Sequence, residues 1–122
     1  MKVCGSAGIA LALGMVLSSG ALAQEQDAGA AFQTADKALN VAYKTLSRRL
    51  QGDELAKLRT TQRAWLAFRD AECAFQTQWT EGGSIQPQLL AGCLAELTTQ
   101  RVTQLEYYLN CQEGDLTCPL PP

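Results

Sequence analysis

The chain has 122 residues, of which 47% are hydrophobic and 18% charged, with 10 basic and 12 acidic side chains and no histidine. This slight acidic excess argues against a nucleic-acid-binding protein, which needs a basic face. The absence of histidine excludes serine triads, Cys-His pairs and histidine-based zinc sites. We therefore expect neither an enzyme nor a protein that carries a metal or another cofactor.

The first 23 residues have the pattern of a secretory signal peptide. Lys2 supplies the positive charge, residues 9–17 form an apolar core, and Ala21-Leu22-Ala23 is a small-x-small cleavage site. A retained membrane anchor is the less favoured interpretation, because the apolar run is short for a bilayer. Cleavage removes 23 of 122 residues and one of 10 basic side chains, leaving 99 residues with 9 basic and 12 acidic groups, a charge of −3. We predict a periplasmic or secreted protein with no membrane span after cleavage.

Four cysteines remain after cleavage, namely Cys73, Cys93, Cys111 and Cys118. An even number in a small exported chain indicates two disulfides, for which three pairings exist. Metal binding is the weaker interpretation, because the spacing contains no C-x-x-C pair. The favoured pairing joins Cys73 to Cys93 between consecutive helices and Cys111 to Cys118 across a small tail loop.

Apolar residues recur at steps of three and four along three segments, a spacing typical of one face of an α-helix. The first helix is expected over about residues 30–50. The second is expected over about residues 54–79, with Asp53 as its N-cap. The third is expected to follow a glycine pair, with Ser84 as N-cap and Pro87 in its first turn, and to end near Asn110.

These segments predict an all-α fold, a small antiparallel three-helix bundle stapled by disulfides. The tight loop at Gly52 makes the first two helices antiparallel neighbours. The helical domain is expected over residues 32–110, followed by a disulfide-closed C-terminal tail at 111–122. Residues 24–31 are small and polar with nothing to bury, so we expect a flexible N-terminus there. The sequence indicates no particular oligomeric state.

On the second and third predicted helices, polar residues lie among the apolar residues of the face that points to the core, which we call the inward stripe. Gln62 and Arg69 share a stripe with Trp65 and Leu66 on the second helix, and Arg101 lies on the stripe of the third. A buried guanidinium needs partners, because an unpaired charge in a core is strongly unfavourable. We therefore predict a structural polar network across the three helices, formed by Asp36, Asn40, Gln62, Arg69 and Arg101. The aromatic residues Trp65, Phe68 and Phe75 are expected in the core and at its edge rather than in a sugar-binding platform.

Several motifs together resemble the lysozyme inhibitor LprI-like family. They are ADKALNVAY at 35–43, RDAEC at 69–73, GGSI at 82–85, Cys93, and LTTQR at 97–101. The resemblance covers about residues 32–109. It implies a small helical, exported bacterial domain with a disulfide between Cys73 and Cys93. Many relatives carry further cysteines before the first helix, whereas residues 24–31 have none. The predicted disulfide between Cys111 and Cys118 is a candidate local substitute for those cysteines.

The resemblance implies that the protein binds and inhibits lysozyme or a related peptidoglycan-cleaving muramidase, so a lysozyme-type enzyme is the expected protein partner. The alternative is a non-catalytic envelope interaction or stress module that binds another periplasmic protein or peptidoglycan.

The candidate inhibitory loop lies between the second and third helices and consists of Glu81, Gly82, Gly83, Ser84 and Ile85. One interpretation is a plain helix-helix turn in which Ser84 caps the next helix. In the other, exposed backbone and hydroxyl groups of the loop enter a partner's cleft, and the Cys73 to Cys93 bond braces both loop ends.

Overall fold

The computed structural model describes residues 20–120, with side chains from residue 27 onward. It contains three α-helices, α1 (Gly20–Arg48), α2 (Gly52–Gln76) and α3 (Gln86–Asn110), and a short 3-10 helix at Gln78–Thr80. No strand occurs in this part of the chain, which confirms the all-α prediction. Most of the expected signal peptide, residues 1–19, lies outside the described residues.

Helix α1 begins earlier than predicted. It starts at Gly20 instead of about residue 30, so the segment 24–31, expected to be a flexible N-terminus, is helical. Six of its eight residues are alanine, glutamine or glutamate, which are strong helix formers even where no apolar face needs burial. The expected cleavage site at Ala21-Leu22-Ala23 falls within this helix. Cleavage there stays a prediction.

The turn between α1 and α2 is made at Gly52, whose φ of +52° lies in the left-handed region that favours glycine. Gln51, in an extended conformation, is the residue that precedes the helix, and no side chain caps it. The prediction of Asp53 as N-cap is therefore wrong. Because Gly52 completes the turn one residue sooner, Asp53 lies within the first turn, where the helix dipole still favours its negative charge.

The end of α2 also differs from the prediction. The helix stops at Gln76, and Thr77 turns its hydroxyl back to the Cys73 carbonyl at 2.8 Å before the 3-10 helix begins. Ser84 does not cap α3, since Ile85 precedes the helix and no side-chain cap bond is made there. The turns at residues 81–85 carry the chain one residue past the serine before α3 starts. Pro87 does lie at the start of α3, as predicted.

Helices α1 and α3 form the most closely packed pair. Both helices bury small side chains, Ala35 and Ala42 on α1 and Ala95 and Thr98 on α3, and small side chains allow helix backbones to approach closely. The core is completed by buried leucines, namely Leu39, Leu46, Leu50, Leu58 and Leu105. Helix α2 packs less closely against this pair. Its long side chains Gln62 and Arg69 contact residues of α1 and α3, and we call them, with Arg101, the layer of long side chains. The polar residues of interest belong to this layer of long side chains.

Both predicted disulfides are present. Cys73 bonds to Cys93 with a Cα–Cα distance of 5.6 Å, which joins the end of α2 to α3. Cys111 bonds to Cys118 at a Cα–Cα distance of 5.8 Å and closes the tail, from which Leu120 packs against the core. No helix within residues 20–120 is long and apolar enough to cross a membrane.

Candidate functional site

Arg69 of α2 is a buried cation with two acidic neighbours. Its Nη2 lies 2.8 Å from Asp70 Oδ1, and its Nε donates to the same oxygen at 2.9 Å. Its Nη1 lies 3.8 Å from Asp36 Oδ1 of α1 and 3.4 Å from Thr98 Oγ1 of α3. The guanidinium is therefore compensated by carboxylates on two helices and touches the third.

Aromatic rings cover the same guanidinium. The Cζ atom of Arg69 lies 5.4 Å from the centre of the Phe32 ring and 5.5 Å from that of Trp65. Trp65 also lies 5.8 Å from Cζ of Arg101. All three contacts are within the range of cation-π attraction, and the Trp65 indole packs against both buried arginines.

Arg101 of α3 is buried to a similar degree, with 5% of its surface exposed, but its partners are different. Its Nε donates to Gln62 Oε1 at 3.1 Å, and its Nη1 donates to Gln104 Oε1. Its Nη2 is buried and has no hydrogen-bond partner among residues 27–120. No carboxylate of the described part of the chain lies within ion-pair distance of Arg101. Its partners are therefore neutral amides.

Burial lowers the pKa of the Arg101 guanidinium, and the neighbouring Tyr108 partly offsets this effect. An arginine nevertheless keeps its proton at neutral pH, because its ordinary pKa is so high. Arg101 is therefore a charged side chain in the core without a countercharge from the described residues.

The residues of the predicted polar network fall into two clusters. Asp36 lies beside Arg69, and Gln62 lies beside Arg101. Asn40 is exposed and makes no side-chain hydrogen bond within the described part of the chain. Sequence reasoning missed further partners, namely Trp65, Asp70, Thr98 and Gln104. Spacing could have indicated Gln104, since it lies three residues from Arg101 on the same helix, whereas Thr98 contacts Arg69 of a different helix.

The candidate inhibitory loop is exposed at each of its residues. Gly82 has a φ of +79°, so its backbone needs glycine. Gly83 donates its N–H to the Thr80 carbonyl at 2.9 Å, and a Cβ at this position would lie 3.1 Å from that oxygen. The glycine pair therefore defines the shape of the loop, which projects between two helices joined by the Cys73–Cys93 bond.

Three large aromatic side chains of α2 and of the segment before this loop are exposed. Trp79 is 91% exposed, Phe75 65% and Phe68 54%. The expectation that Phe68 and Phe75 pack in the core or at its edge is therefore wrong, although Trp65 does pack against the core. Phe68 and Phe75 are seven residues apart and so share a face of α2, and the buried residues of that helix lie on another face. We call Phe68, Phe75 and Trp79 the exposed aromatic set.

Ile85, the last residue of the loop, and Leu89 after it add exposed apolar surface. They are four residues apart, and the Leu89 N–H donates to the Ile85 carbonyl, so they share one face at the start of α3. Within the described residues, no group of His, Cys, Asp and Glu is arranged to hold a metal ion. Exposed apolar surface of this kind suits contact with another molecule.

The fold and the site define a small, disulfide-linked helical domain with an exposed interhelical loop. Residues 18–105 match the family described as Lysozyme inhibitor LprI, and the chain belongs to that family. The match ends at Leu105, before the Cys111–Cys118 tail. An uncharacterized protein of Rhizobium meliloti (strain 1021) is 32% identical over 96 residues, which cover 68% of this chain and 69% of the relative. No solved structure matches the chain at a significant level.

Proposed function

We propose that this protein is exported, and that it binds and inhibits a lysozyme or a related muramidase by placing the loop of residues 81–85 in the enzyme's cleft. Membership of the lysozyme inhibitor family supports the choice of partner. The observation that carries the choice of surface is the exposed loop, preceded by Trp79, followed by Leu89 and attached to two disulfide-linked helices.

The disulfide favours binding through this loop. Cys73 is fully buried, and its bond to Cys93 links the helices on either side of the loop. A loop whose ends are already held loses less conformational entropy when it binds. The neighbouring Trp79 offers a large apolar surface with few rotatable bonds, which is typical of residues that dominate binding energy at protein interfaces.

Charge supports the same partner. After loss of Lys2 with the signal peptide, 9 basic residues face 12 acidic ones, a net charge of −3. Lysozymes that attack bacterial walls are commonly basic. Opposite net charges accelerate the encounter of two proteins, and the acceleration weakens as salt is added.

A turbidity assay tests the proposal. Lysozyme clears a suspension of bacterial cell walls, and purified protein comprising residues 24–122 should slow the clearing. A variant that lacks Gly82 and Gly83 but keeps the Cys73–Cys93 bond should inhibit much less. Thr60→Ala, on an exposed part of α2, serves as the control and should inhibit normally.

Two results would contradict the proposal in different ways. Full inhibition by the deletion variant would exclude the loop as the inhibitory site. Absence of inhibition by the intact protein at large molar excess, across several lysozyme types, would exclude the inhibitory function. Export is checked separately by sequencing the N-terminus of the protein from a periplasmic fraction, which should begin at Gln24.

A second candidate function is a non-catalytic envelope module that binds another periplasmic protein or peptidoglycan. The exposed aromatic set favours it, because Phe68 lies well before the loop along α2 and would remain outside a cleft that takes up only residues 81–85. Co-sedimentation with insoluble peptidoglycan and a pull-down from an envelope extract, both without lysozyme, test this function. If the protein still binds peptidoglycan or an envelope protein after all three aromatic residues are replaced by alanine, the exposed aromatic set is not the binding surface.

A further inference from the structure

A cavity lies at the opposite end of α2 from the loop. Its volume is about 370 Å³, which is within the size range of small-molecule sites. The walls combine residues from all three helices with Pro119 of the tail. Buried leucines, Leu46, Leu50 and Leu58, form much of the lining, so the cavity offers an apolar interior.

Arg101 also lines this cavity and gives it a chemical preference. Its Nη2 is a buried donor without a partner among the described residues, whereas the second buried arginine, Arg69, has two carboxylates. A buried cation without a countercharge is strongly unfavourable, and a buried donor without an acceptor adds to that penalty. An anion that reached Nη2 from the cavity would relieve both.

We propose that this cavity binds a small amphipathic carboxylate, with its hydrocarbon body against the leucines and its carboxylate accepting a hydrogen bond from Arg101 Nη2. A carboxylate is favoured because its negative charge compensates the guanidinium and a hydrogen bond between two charged groups is stronger than one between neutral groups. The apolar walls require the hydrocarbon body, since a small hydrated anion would gain nothing from them. Nη2 is closed to solvent in the free protein, so binding includes a small shift of the Arg101 or Tyr108 side chain.

Charges at the rim modulate this preference. Lys57 and Glu54 are exposed residues that both line the cavity. Lys57 attracts a carboxylate, and Glu54 repels it. Replacing Glu54 by glutamine should therefore tighten binding by roughly two- to threefold at low salt, an effect of the size expected for exposed charges.

Decanoate below its critical micelle concentration is a suitable probe, with decanol as the uncharged counterpart. Binding to protein comprising residues 24–122 is measured by calorimetry and by the NMR signal of the Arg101 side-chain N–H. Decanoate should bind saturably and shift that signal, and decanol should bind at least about tenfold more weakly because it cannot pair with the cation. Neither readout involves lysozyme, so this test and the inhibition test can fail independently.

Neighbouring threonines provide matched variants that leave Arg101 untouched. Thr61 lines the cavity and Thr60 does not, although both are exposed. Thr61→Trp should fill the cavity and weaken decanoate binding by about tenfold or more, whereas Thr60→Trp should leave it unchanged. Circular dichroism of both variants verifies that each one folds.

Several outcomes would overturn the proposal. They are failure of decanoate to bind, equal affinity for decanoate and decanol, and equal effects of the two tryptophan substitutions. A chain that ends at Leu120, and so lacks Pro121 and Pro122, is one more control for the binding of decanoate. Binding seen only with that shortened chain would contradict a ligand site in the intact protein.

Discussion

Arg101 donates from Nε to the side-chain oxygen of Gln62 at 3.1 Å, within the interior between α3 and α2. Both residues are almost fully buried, so neither can exchange this partner for water. Because Arg101 already has one unpartnered donor, its bond to Gln62 contributes more than an average side-chain hydrogen bond.

Replacing Gln62 with leucine should lower the free energy of unfolding by about 1–3 kcal/mol, because a second donor of Arg101 is then left without an acceptor. The control is Gln100→Leu, whose side chain is exposed and bonds only to Glu96 of the same helix. The control should change stability by no more than about 0.5 kcal/mol. Urea denaturation followed by circular dichroism measures both. Equal effects would contradict a special role for Gln62.

Removal of the Cys73–Cys93 bond should destabilise the domain more than removal of the tail bond. The first closes a sequence separation of 20 residues and the second a separation of 7. Loop-closure entropy then predicts losses of about 3 and about 2 kcal/mol for the two double serine variants. Urea unfolding under oxidising conditions measures the difference. A larger loss from the tail variant would show that the tail contributes more through its packing than through loop closure.

The tail has an anchor that depends on pH. Asp115 accepts hydrogen bonds from Thr117 Oγ1 at 2.7 Å, Tyr107 Oη at 2.6 Å and Thr117 N at 2.8 Å. These bonds lower the pKa of the Asp115 carboxyl. The anchor therefore stabilises the tail fully above the unfolded pKa of about 3.9 and is lost as the pH falls through the lower folded pKa.

An NMR titration of the Thr117 amide tests this anchor. Its signal should move with a midpoint below the ordinary aspartate pKa, and Asp115→Asn should abolish the movement. A midpoint at or above the ordinary value would mean that the carboxyl does not receive these bonds in solution.

Replacing Trp79 with alanine should weaken binding to the partner and leave the stability of the domain unchanged. Because the side chain is 91% exposed, the free energy of unfolding should change by less than about 0.5 kcal/mol. If Trp79 anchors the partner, lysozyme inhibition should weaken by about tenfold or more. Leu116→Ala is the matched control, since Leu116 is fully exposed in the tail, away from the loop. Equal inhibition by both variants would remove Trp79 from the interface.

The sequence predicts the interior better than the surface. Gln62 and Arg101 were expected to meet because both interrupt inward stripes of leucines, and only another polar side chain could satisfy them. Asn40 lies one turn from Asp36, which predicts that it joins the network, yet its side chain is exposed. A helical period gives the direction of a side chain to within a fraction of a turn, which is too coarse for a residue at the edge of a stripe.

Aromatic residues mark the other limit of sequence reasoning. Phe68 and Phe75 are large and apolar, so burial is the usual expectation. Helix α2, however, carries apolar residues on more than one face, and hydropathy does not indicate which face packs. Likewise, the early start of α1 at Gly20 reflects local helix propensity, which a lack of apolar residues to bury does not reveal. The unpartnered Nη2 of Arg101 could not be predicted at all, since it depends on atomic positions.

The layer of long side chains between α2 and the α1–α3 pair fixes the register of the bundle. Leucines can repack after a helix slides by one turn of about 5.4 Å, because dispersion contacts have little directional preference. The bonds of Arg69 to Thr98 and of Arg101 to Gln62 cannot survive such a slide, since hydrogen bonds require short distances and fixed angles. These two arginines therefore favour one position of α2 along its axis, and it is the position in which Cys73 lies opposite Cys93.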